Sequence, residues 1–437
     1  MLASHLRLNG RKVTCLRAGF SKHEMGVYLA YSAARFRRVF FNVVRTMSEH
    51  LMQTYARQPI AFTHGKGVWL FDEQGDKYLD AVAGVAVNGL GHAHAKLAQA
   101  LCEQAGTLIH TSNLYRIPLQ EQLADRLCEL SGMDRAFFCN SGAEANEAAI
   151  KLARLHGHNR GIDSPAIVVM EKSFHGRTLA TLSATGNRKV QAGFEPLVGG
   201  FVRVPFGNAE AVAKLAAHHN NIVAVLVEPY QGEGGVQIPE VDYLDKLRAI
   251  CDQNAWLLML DEVQTGIGRT GTWFAFQHSQ SKPDVMTLAK GLGSGVPVGA
   301  CLASGIAAEV FTAGKHGSTF GGNPFACRAA LTTLEVMAED DLLGNAERIG
   351  AAIRHQLAEA LAGVAAVKEI RGQGLLIGIE LDRPCGDLVK RGLAEKVLIN
   401  VTADNVVRLL PPLIMSLDEA TMLVGKLAAL IRAFVLN

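Results

Sequence analysis

Short runs of apolar residues alternate along the chain with segments whose apolar positions recur at the spacing of a helix. A continuous apolar run of about four to eight residues is typical of a strand that is buried on both faces of a sheet. Strands that alternate with helices indicate right-handed crossovers and a mainly parallel sheet, and therefore an α/β fold. In chain order, the predicted strands contain AFFC, AIVVM, IVAVLV, WLLML and VMTLA.

Different patterns flank this alternation at both ends. Near the N-terminus, VWLFD and KYLDA alternate apolar and polar positions on either side of DEQGD, which predicts a β-hairpin. Near the C-terminus, helical patterns mix with short strands, which predicts a smaller α+β domain. We therefore predict an N-terminal segment over residues 47–95, a large domain over 96–320 and a small C-terminal domain over 321–437.

The first 46 residues differ in composition from the rest of the chain. They contain nine Lys or Arg and one acidic residue, Glu24. A basic, acid-poor stretch of this kind is typical of an organellar transit peptide, which would place the protein in a mitochondrion or plastid. The alternative, which we favour, is a mis-assigned start upstream of Met47 and a cytoplasmic protein. Both interpretations exclude residues 1–46 from the fold.

Composition argues against several classes of protein. The 437 residues are 49% hydrophobic and 19% charged, which predicts a globular protein with a large core. The net charge is only +2, and it is negative beyond residue 46, so we expect no nucleic-acid partner. No uncharged apolar stretch approaches the length of a membrane span. The eight cysteines form no CxxC motif and indicate reduced core residues, and His92 and His94 lack matching ligands, so we expect no metal site.

Charged side chains follow two of the predicted strands directly. Asp261 and Glu262 end WLLML, and Lys290 follows VMTLA just before the Gly-rich turn GLGSG. Open α/β sheets bind their ligands at the carboxyl ends of strands, where a lysine is poorly solvated and its pKa is easily lowered. Such a lysine suits an aldehyde and such an acid suits a basic ring nitrogen. Pyridoxal phosphate has both groups.

A second feature predicts a site for a phosphate group. Ser141 precedes a helical pattern and is expected to form a capping box with Glu144. The N–H groups of Gly142 and Ala143 then open the helix, where positive partial charge attracts an anion. By itself, this pattern indicates only an ordinary capped helix. The charged residues at the strand ends are what favour its interpretation as a phosphate site. A later Gly-rich loop offers two further hydroxyl donors, Ser318 and Thr319.

Two other loops carry candidate ligand contacts. Phe174 stands in the sequence SFHGR, where an exposed aromatic ring can stack on a flat cofactor and Arg177 can bind a carboxylate. Glu228 ends the strand IVAVLV, and Glu233 lies in the Gly-rich loop that follows. A non-catalytic nucleotide-binding protein is disfavoured, because no GxGxxG or GxxxxGK[ST] motif follows a strand.

From Pro59 to its end the sequence resembles the class III aminotransferases, which are fold type I enzymes that depend on pyridoxal phosphate. The resemblance implies a large, mainly parallel sheet domain and a smaller α+β C-terminal domain. It also implies a homodimer and a ping-pong transfer of an amino group. The motifs that carry it occur in the order of the family: SGAEANEAAIKLAR, SFHGRTLATLS, EPYQGEGGV, LDEVQTGIGRTG, LAKGLGSGVPVGA, HGSTFGGNPFACRAAL, EIRGQGLLIG and VRLLPPL.

The resemblance also implies roles around the cofactor. Lys290 would bond covalently to the cofactor aldehyde and then move a proton, and Asp261 would keep the ring nitrogen protonated. Thr319 would reach the phosphate from the neighbouring subunit. The remaining implied cofactor contacts are Ser141, Gly142, Ala143, Phe174, Glu228, Val263 and Gln264.

The implied substrates follow from GVAVNGLGHAH, HTSNLYRIPLQ and SGVPVGACLA, which are most similar to the acetylornithine-specific branch of the family. N-acetylornithine and 2-oxoglutarate, which becomes glutamate, are therefore expected as substrates. Ornithine δ-aminotransferase and succinylornithine or succinyl-diaminopimelate aminotransferase remain alternatives. Arg177, with Ser318, would bind a substrate carboxylate. Arg408 would bind the α-carboxylate of glutamate and be masked by Glu233 when the other substrate is bound.

Overall fold

A computed structural model describes residues 50–436 and two strands nearer the N-terminus, β1 (His5–Leu8) and β2 (Arg11–Thr14), which pair antiparallel. The rest of the predicted basic extension lies outside the described residues. The elements discussed below belong to one compact unit, Phe62–Asn437. Among the residues that the structure describes, no helix combines the length and the apolar character needed to cross a membrane.

A seven-stranded sheet forms the centre of this unit. Its strands are β6 (Arg135–Cys139), β7 (Ala166–Met170), β8 (Phe201–Val204), β9 (Ile222–Val227), β10 (Leu257–Asp261), β11 (Val285–Leu288) and β12 (Gly299–Ala303). The spatial order is β6-β12-β11-β10-β9-β7-β8, and only β12 runs antiparallel to its neighbours. The mainly parallel sheet predicted from the apolar runs is therefore confirmed. Strands β7, β9, β10 and β11 are buried along their whole length, because elements cover both faces.

Helices connect these strands and cover the sheet. The helix after β6 begins at Gly142 because the Ser141 hydroxyl accepts the N–H of Glu144. The expected capping box is only half formed, since the Glu144 carboxylate accepts the N–H of Asn140 instead of that of Ser141. Besides one irregular short helix at Ala83–Ala86, the α-helices are α1 (Ala95–Thr107), α2 (Pro118–Ser131), α3 (Gly142–Asn159), α4 (Leu179–Ala184), α5 (Arg188–Gln191), α6 (Ala209–Leu215), α7 (Tyr243–Asn254), α8 (Pro324–Glu339), α9 (Leu342–Ala360), α10 (Leu388–Ala394) and α11 (Leu417–Val435).

Two four-stranded sheets accompany the central one. The first contains β3 (Phe62–Lys66), β4 (Trp69–Asp72), β5 (Lys77–Asp80) and β15 (Val397–Leu398), and its β4–β5 hairpin confirms the one predicted near the N-terminus. The second contains β13 (Val367–Gln373), β14 (Leu376–Leu381), β16 (Asn400–Thr402) and β17 (Val406–Leu409), in the order β13-β14-β17-β16. Because β15 pairs with β5, the first sheet joins the N-terminal segment to the C-terminal part of the chain. The boundary at residues 320/321 stays a prediction.

One hydrophobic core connects the central sheet to the small antiparallel sheet. Leu258 and Met286 of the central sheet and Ile377 and Leu409 of the small sheet belong to the same buried cluster. Burial of such side chains stabilises the fold by about 1.5 to 3 kcal/mol each. The carboxyl ends of β9, β10 and β11 therefore keep a fixed position relative to strands β13, β14 and β17, and the functional site lies between them.

Candidate functional site

A cavity of about 420 Å³ opens at the carboxyl ends of β9, β10 and β11 and at the first turn of α3. Most of the residues singled out in the sequence meet here, although they come from distant parts of the chain. Strands β10 and β11 are neighbours and parallel, which brings Asp261 and Lys290 to the same edge of the sheet. The predicted residues that line the cavity are Ser141, Gly142, Ala143, Phe174, Arg177, Glu228, Glu233, Asp261, Val263, Gln264 and Lys290.

Asp261 is held in the cavity by three contacts. Its Oδ2 lies 2.7 Å from Nδ1 of His175 and accepts a hydrogen bond of 2.7 Å from Nδ2 of Asn146. Its Oδ1 accepts the backbone N–H of Val263. Thr287 donates to Oδ1 of Asn146, which fixes the direction in which the amide presents its N–H groups. The carboxylate is thus buried, and both of its oxygens have hydrogen-bond partners, as a polar group inside the fold requires.

Sequence reasoning missed two members of this network, His175 and Asn146. Both are almost completely buried. Asn146 was visible as a polar residue among small apolar ones in EANEAAI, where an interior helix face buries it. A buried amide needs hydrogen-bond partners, so this position indicates a polar contact inside the fold. His175 gave no local signal, because its partner is 86 residues away in the sequence.

Lys290 lies where the chain leaves β11. Its backbone has a φ of 42°, a left-handed conformation that is strained for a residue with a side chain. Burial lowers the pKa of its amine to about 8, although the neighbouring acids Glu233, Asp261 and Glu228 oppose this effect. A lysine with this pKa is partly neutral near physiological pH, which allows it to act as a nucleophile and as a base.

The two acids at the end of β10 have different environments, because successive side chains of a strand point to opposite faces. Asp261 lines the cavity, whereas Glu262 accepts the N–H groups of Ala275 and Phe276 and the hydroxyl of Thr265. Burial raises the pKa of Glu262 to about 7. Glu262 therefore anchors the loop that follows β10 and is not part of the cavity.

Phe174, Arg177 and Glu228 also line the cavity. Glu228 accepts the N–H of Phe174, and burial together with the charge of Asp261 raises the pKa of its carboxyl well above the ordinary value. The guanidinium of Arg177 lies 5.6 Å from the centre of the Phe174 ring. Arg177 is exposed, so its charge is available to a ligand that enters the cavity.

The first turn of α3 forms the floor of the cavity. The N–H groups of Gly142 and Ala143 have no helical partner, because the first residues of a helix lack a carbonyl one turn before them. A Cβ atom at Gly142 would lie 2.6 Å from Cγ1 of Val263, so only glycine allows Val263 to pack against the helix start. The arrangement combines free amides with the positive end of an 18-residue helix, which is a suitable place for a phosphate.

An ion pair closes another side of the cavity. Nη1 of Arg408 lies 2.7 Å from Oε1 of Glu233, and it also donates to Oε1 of Gln264 at 3.2 Å. Arg408 is 1% exposed, and its Nε donates to Asn400. Burial alone would raise the pKa of Glu233, but the charge and hydrogen bond of Arg408, together with Lys290, bring it below the ordinary value. Glu233 is therefore ionised and neutralises Arg408.

Ser318 and Thr319 line a different cavity, of about 330 Å³, on the other side of Asn140. The Ser318 hydroxyl accepts from Nδ2 of Asn140 at 3.3 Å, and Thr319 is exposed. Within one chain, these two residues do not line the cavity that contains Lys290 and Arg177.

Of the two histidines considered as metal ligands, His92 has a carboxylate partner. Nε2 of His92 lies 2.8 Å from Oδ2 of Asp80, and Oδ1 of Asp80 accepts the N–H groups of Val82 and Ala83. Within the described residues, no group of His, Cys, Asp or Glu side chains is arranged to hold a metal ion.

Comparisons with known proteins give a consistent result. The family model described as "Aminotransferase class-III" matches residues 52–431. The chain is 63% identical to an acetylornithine aminotransferase from Nitrosomonas europaea over 385 residues, which are 88% of this chain and 98% of that protein. Among solved structures, the ornithine aminotransferase of Toxoplasma gondii is similar with a TM-score of 0.86 and 33% identity, covering 93% of this chain and 98% of that one. The acetylornithine aminotransferase of Elizabethkingia anophelis has a TM-score of 0.79 and 33% identity, covering 88% and 97%.

Proposed function

The chain belongs to the class III aminotransferase family, and we propose that it transfers the terminal amino group of N-acetylornithine to 2-oxoglutarate. The products are N-acetylglutamate 5-semialdehyde and glutamate, as in arginine biosynthesis. The similarity to acetylornithine aminotransferases supports this choice. The observation that carries it is the Glu233–Arg408 ion pair beside Lys290, because it allows one cavity to accept two unlike substrates.

The cavity fits pyridoxal 5'-phosphate, which we propose as the cofactor. When bound, this cofactor supplies an aldehyde that carries the amino group and a protonated ring that accepts electrons. Lys290 offers an amine of lowered pKa for the aldehyde, and the hydrogen-bonded carboxylate of Asp261 suits the ring nitrogen. The residues proposed to hold the phosphate, the ring oxygen and the ring faces are Ser141, Gly142, Ala143, Phe174, Glu228, Val263 and Gln264.

Two arginines explain how the same site serves both half-reactions. N-acetylornithine presents its terminal amine, so its carboxylate lies far from the reacting atoms and suits the exposed Arg177. Glutamate presents an α-amine, so it places one carboxylate near the reacting carbon, where Arg408 can bind it, and a second one at Arg177. In the first half-reaction Glu233 neutralises Arg408, and in the second it releases Arg408. Nζ of Lys290 is placed to move the proton in both.

We further propose that the protein is a homodimer in which Thr319 completes the phosphate site of the neighbouring subunit. The exposed position of Thr319 and its separation from the Lys290 cavity support this arrangement. Large apolar side chains are exposed in the segment that contains Thr319 and in a second segment bound to it, and exposed apolar patches mark protein interfaces. They come from two segments that Asn113 ties together by donating to the carbonyls of Ser318 and Gly321. The exposed apolar residues are Leu108, Ile109, Leu114, Tyr115 and Phe320.

A cytoplasmic location also remains our proposal. It is supported by the cysteines of the described residues, which are all free. Free cysteines are typical of a reducing compartment.

A comparison of amino donors tests the proposed substrate. Steady-state kcat/KM for N-acetylornithine, ornithine and succinyl-diaminopimelate, with 2-oxoglutarate as the acceptor, should be highest for N-acetylornithine. A clear preference for ornithine would instead support an ornithine δ-aminotransferase, to which the similarity to the Toxoplasma gondii structure also points. Absence of transfer from all three donors would contradict the proposed function.

A further inference from the structure

Two arginines and a glycine form one row across the small antiparallel sheet. Arg371 of β13 stands opposite Gly378 of β14, and Gly378 stands opposite Arg408 of β17. Residues that are directly opposite in antiparallel strands share a face of the sheet. Arg371 and Arg408 therefore lie on the same face, one on each side of Gly378.

The loop that carries Glu233 lies over this row. Gln231 and Gln237 close the loop by exchanging two backbone hydrogen bonds, of 3.1 and 3.0 Å. At the C-terminal end of the loop, directly before Gln237, Val236 is completely buried and has a φ of 50°, a conformation that is strained for a β-branched residue. Val236 packs directly over Gly378, where an added Cβ would lie 2.8 Å from Cβ of Val236.

Arg371 binds the C-terminal end of this loop through its guanidinium group. Its Nε donates to the carbonyl of Val236 at 2.8 Å, and its Nη2 donates to the carbonyl of Gly235 at 2.7 Å. Nη1 pairs with the carboxylates of Glu369 and Glu380. The side chain is 8% exposed, so these bonds compete little with water. A planar, rigid fork is needed to reach all four acceptors together.

We propose that Arg371 is a positioning residue for the Glu233–Arg408 ion pair. By holding the carbonyls of Gly235 and Val236, it keeps the strained loop closed over Gly378 and places the Glu233 carboxylate within reach of Arg408. The loop backbone then stays in place when the substrate changes, and only the Glu233 side chain moves. This inference rests on the proposed function, in which Glu233 masks Arg408 for one substrate and releases it for the other.

The test compares the two half-reactions in Arg371→Gln and Arg371→Lys holoenzymes. Single-turnover absorbance changes give the ratio of kcat/KM for N-acetylornithine to kcat/KM for glutamate. Because a loosened loop leaves Arg408 unmasked more often, the ratio should fall about tenfold in Arg371→Gln, and less in Arg371→Lys, which keeps a positive charge. Arg383→Gln is the matched control and should leave the ratio unchanged, since Arg383 is exposed and, among the described residues, pairs only with the adjacent Asp382.

Two additional measurements separate positioning from a general loss of stability. Adding Arg371→Gln to Glu233→Ala should not change the ratio further, because both changes act on the same ion pair. Hydrogen exchange of the Val236 and Gln237 amides should be faster in the Arg371 variants than in wild type. Equal losses in both half-reactions, or the same additional fall in the Glu233→Ala background, would overturn the inference.

The outcomes also distinguish this inference from the proposed substrate. If the wild-type protein uses ornithine but not N-acetylornithine, only the proposed substrate is refuted. The ratio of kcat/KM for ornithine to kcat/KM for glutamate then tests the role of Arg371. If Arg371→Gln does not fold, the ratio and the amide exchange of Arg371→Lys decide it.

Discussion

His175 places Nδ1 2.7 Å from Oδ2 of Asp261, and both side chains are almost fully withdrawn from solvent. Nε2 of His175 is buried and has no hydrogen-bond partner among the described residues. A proton on this atom would leave a buried donor unpaired, which is costly, whereas a proton on Nδ1 points at an acceptor. His175 therefore donates from Nδ1 to Asp261 and stabilises the buried carboxylate.

Loss of this hydrogen bond should weaken the interaction of Asp261 with the proposed cofactor. A hydrogen bond to a charged group contributes about 1.5 to 3 kcal/mol, so His175→Ala should lower cofactor affinity and kcat by about tenfold to a hundredfold. Cofactor titration and turnover measure the two effects. His218→Ala, at an exposed position, is the control and should change neither. Wild-type affinity and turnover in His175→Ala would show that Asp261 does not depend on His175.

Lys290 is expected to be the residue that binds the cofactor covalently. Borohydride reduction of the holoenzyme, followed by peptide mapping, should locate the label on the peptide that contains Lys290. Lys290→Ala should reduce turnover by several orders of magnitude, because the nucleophile and the proton carrier are lost together. Lys282→Ala is a suitable control, since Lys282 lies near the surface and donates to the carbonyl of Gly132. A label on any other lysine would refute the assignment.

The lowered pKa of Lys290 should make the stability of the cofactor-free protein depend on pH. The folded pKa of about 8 lies below the ordinary 10.5, so folding disfavours the charged amine. Burial of the charged amine therefore lowers the free energy of unfolding. This loss of stability is fully present below pH 8 and disappears as pH rises from 8 toward 10.5, because in that range the unfolded chain binds more protons than the folded one. Lys290→Met should be more stable than wild type at pH 7 by on the order of 2 kcal/mol, since one pKa unit corresponds to about 1.4 kcal/mol.

Urea unfolding of both cofactor-free proteins at pH 7 and at pH 10 measures this difference. The advantage of Lys290→Met should shrink at the higher pH. A difference that does not vary with pH would mean that the amine is not destabilised by burial.

Substitutions in the Glu233–Arg408 ion pair should change the rates of the two half-reactions by different factors. Glu233→Ala should favour the glutamate half-reaction over the N-acetylornithine one by about 1 to 3 kcal/mol, because Arg408 is then permanently unmasked. Arg408→Ala should have the opposite effect. Arg177→Ala should impair both, since each substrate keeps a distal carboxylate. Single-turnover rates of each half-reaction test these expectations. If Glu233→Ala lowers both rates by the same factor, Glu233 has only a structural role.

Subunit mixing tests the proposed composite site. Lys290→Ala and Thr319→Trp proteins should each be inactive alone. When subunits exchange at equal amounts, half of the dimers are hybrids and each hybrid contains one intact site, so about a quarter of the wild-type activity should return. If exchange is demonstrated and no activity appears, each site is built from a single chain.

Several features of this protein follow from the sequence alone because they depend on short-range patterns. Continuous apolar runs specify buried parallel strands, and Asp261 and Lys290 had to lie at strand ends because they follow such runs directly. Ser141 specifies the start of α3 because an N-cap acts over a single turn. The resemblance to a family then supplied roles for residues such as Arg408, whose position in VRLLPPL carries no local chemical signal.

Which side chains meet depends on the three-dimensional packing of the chain. In the sequence EIRGQG, nothing distinguishes Arg371 from an ordinary surface cation. Its hydrogen bonds to the carbonyls of Gly235 and Val236 depend on the register of β13, β14 and β17. His175, in the loop after β7, and Asp261, at the end of β10, are likewise brought together by packing, and Asn146 of α3 donates to both. A charged group inside the fold needs hydrogen-bond partners, and these partners come from any part of the chain that packs beside it. The spacing of residues along the sequence therefore does not identify them.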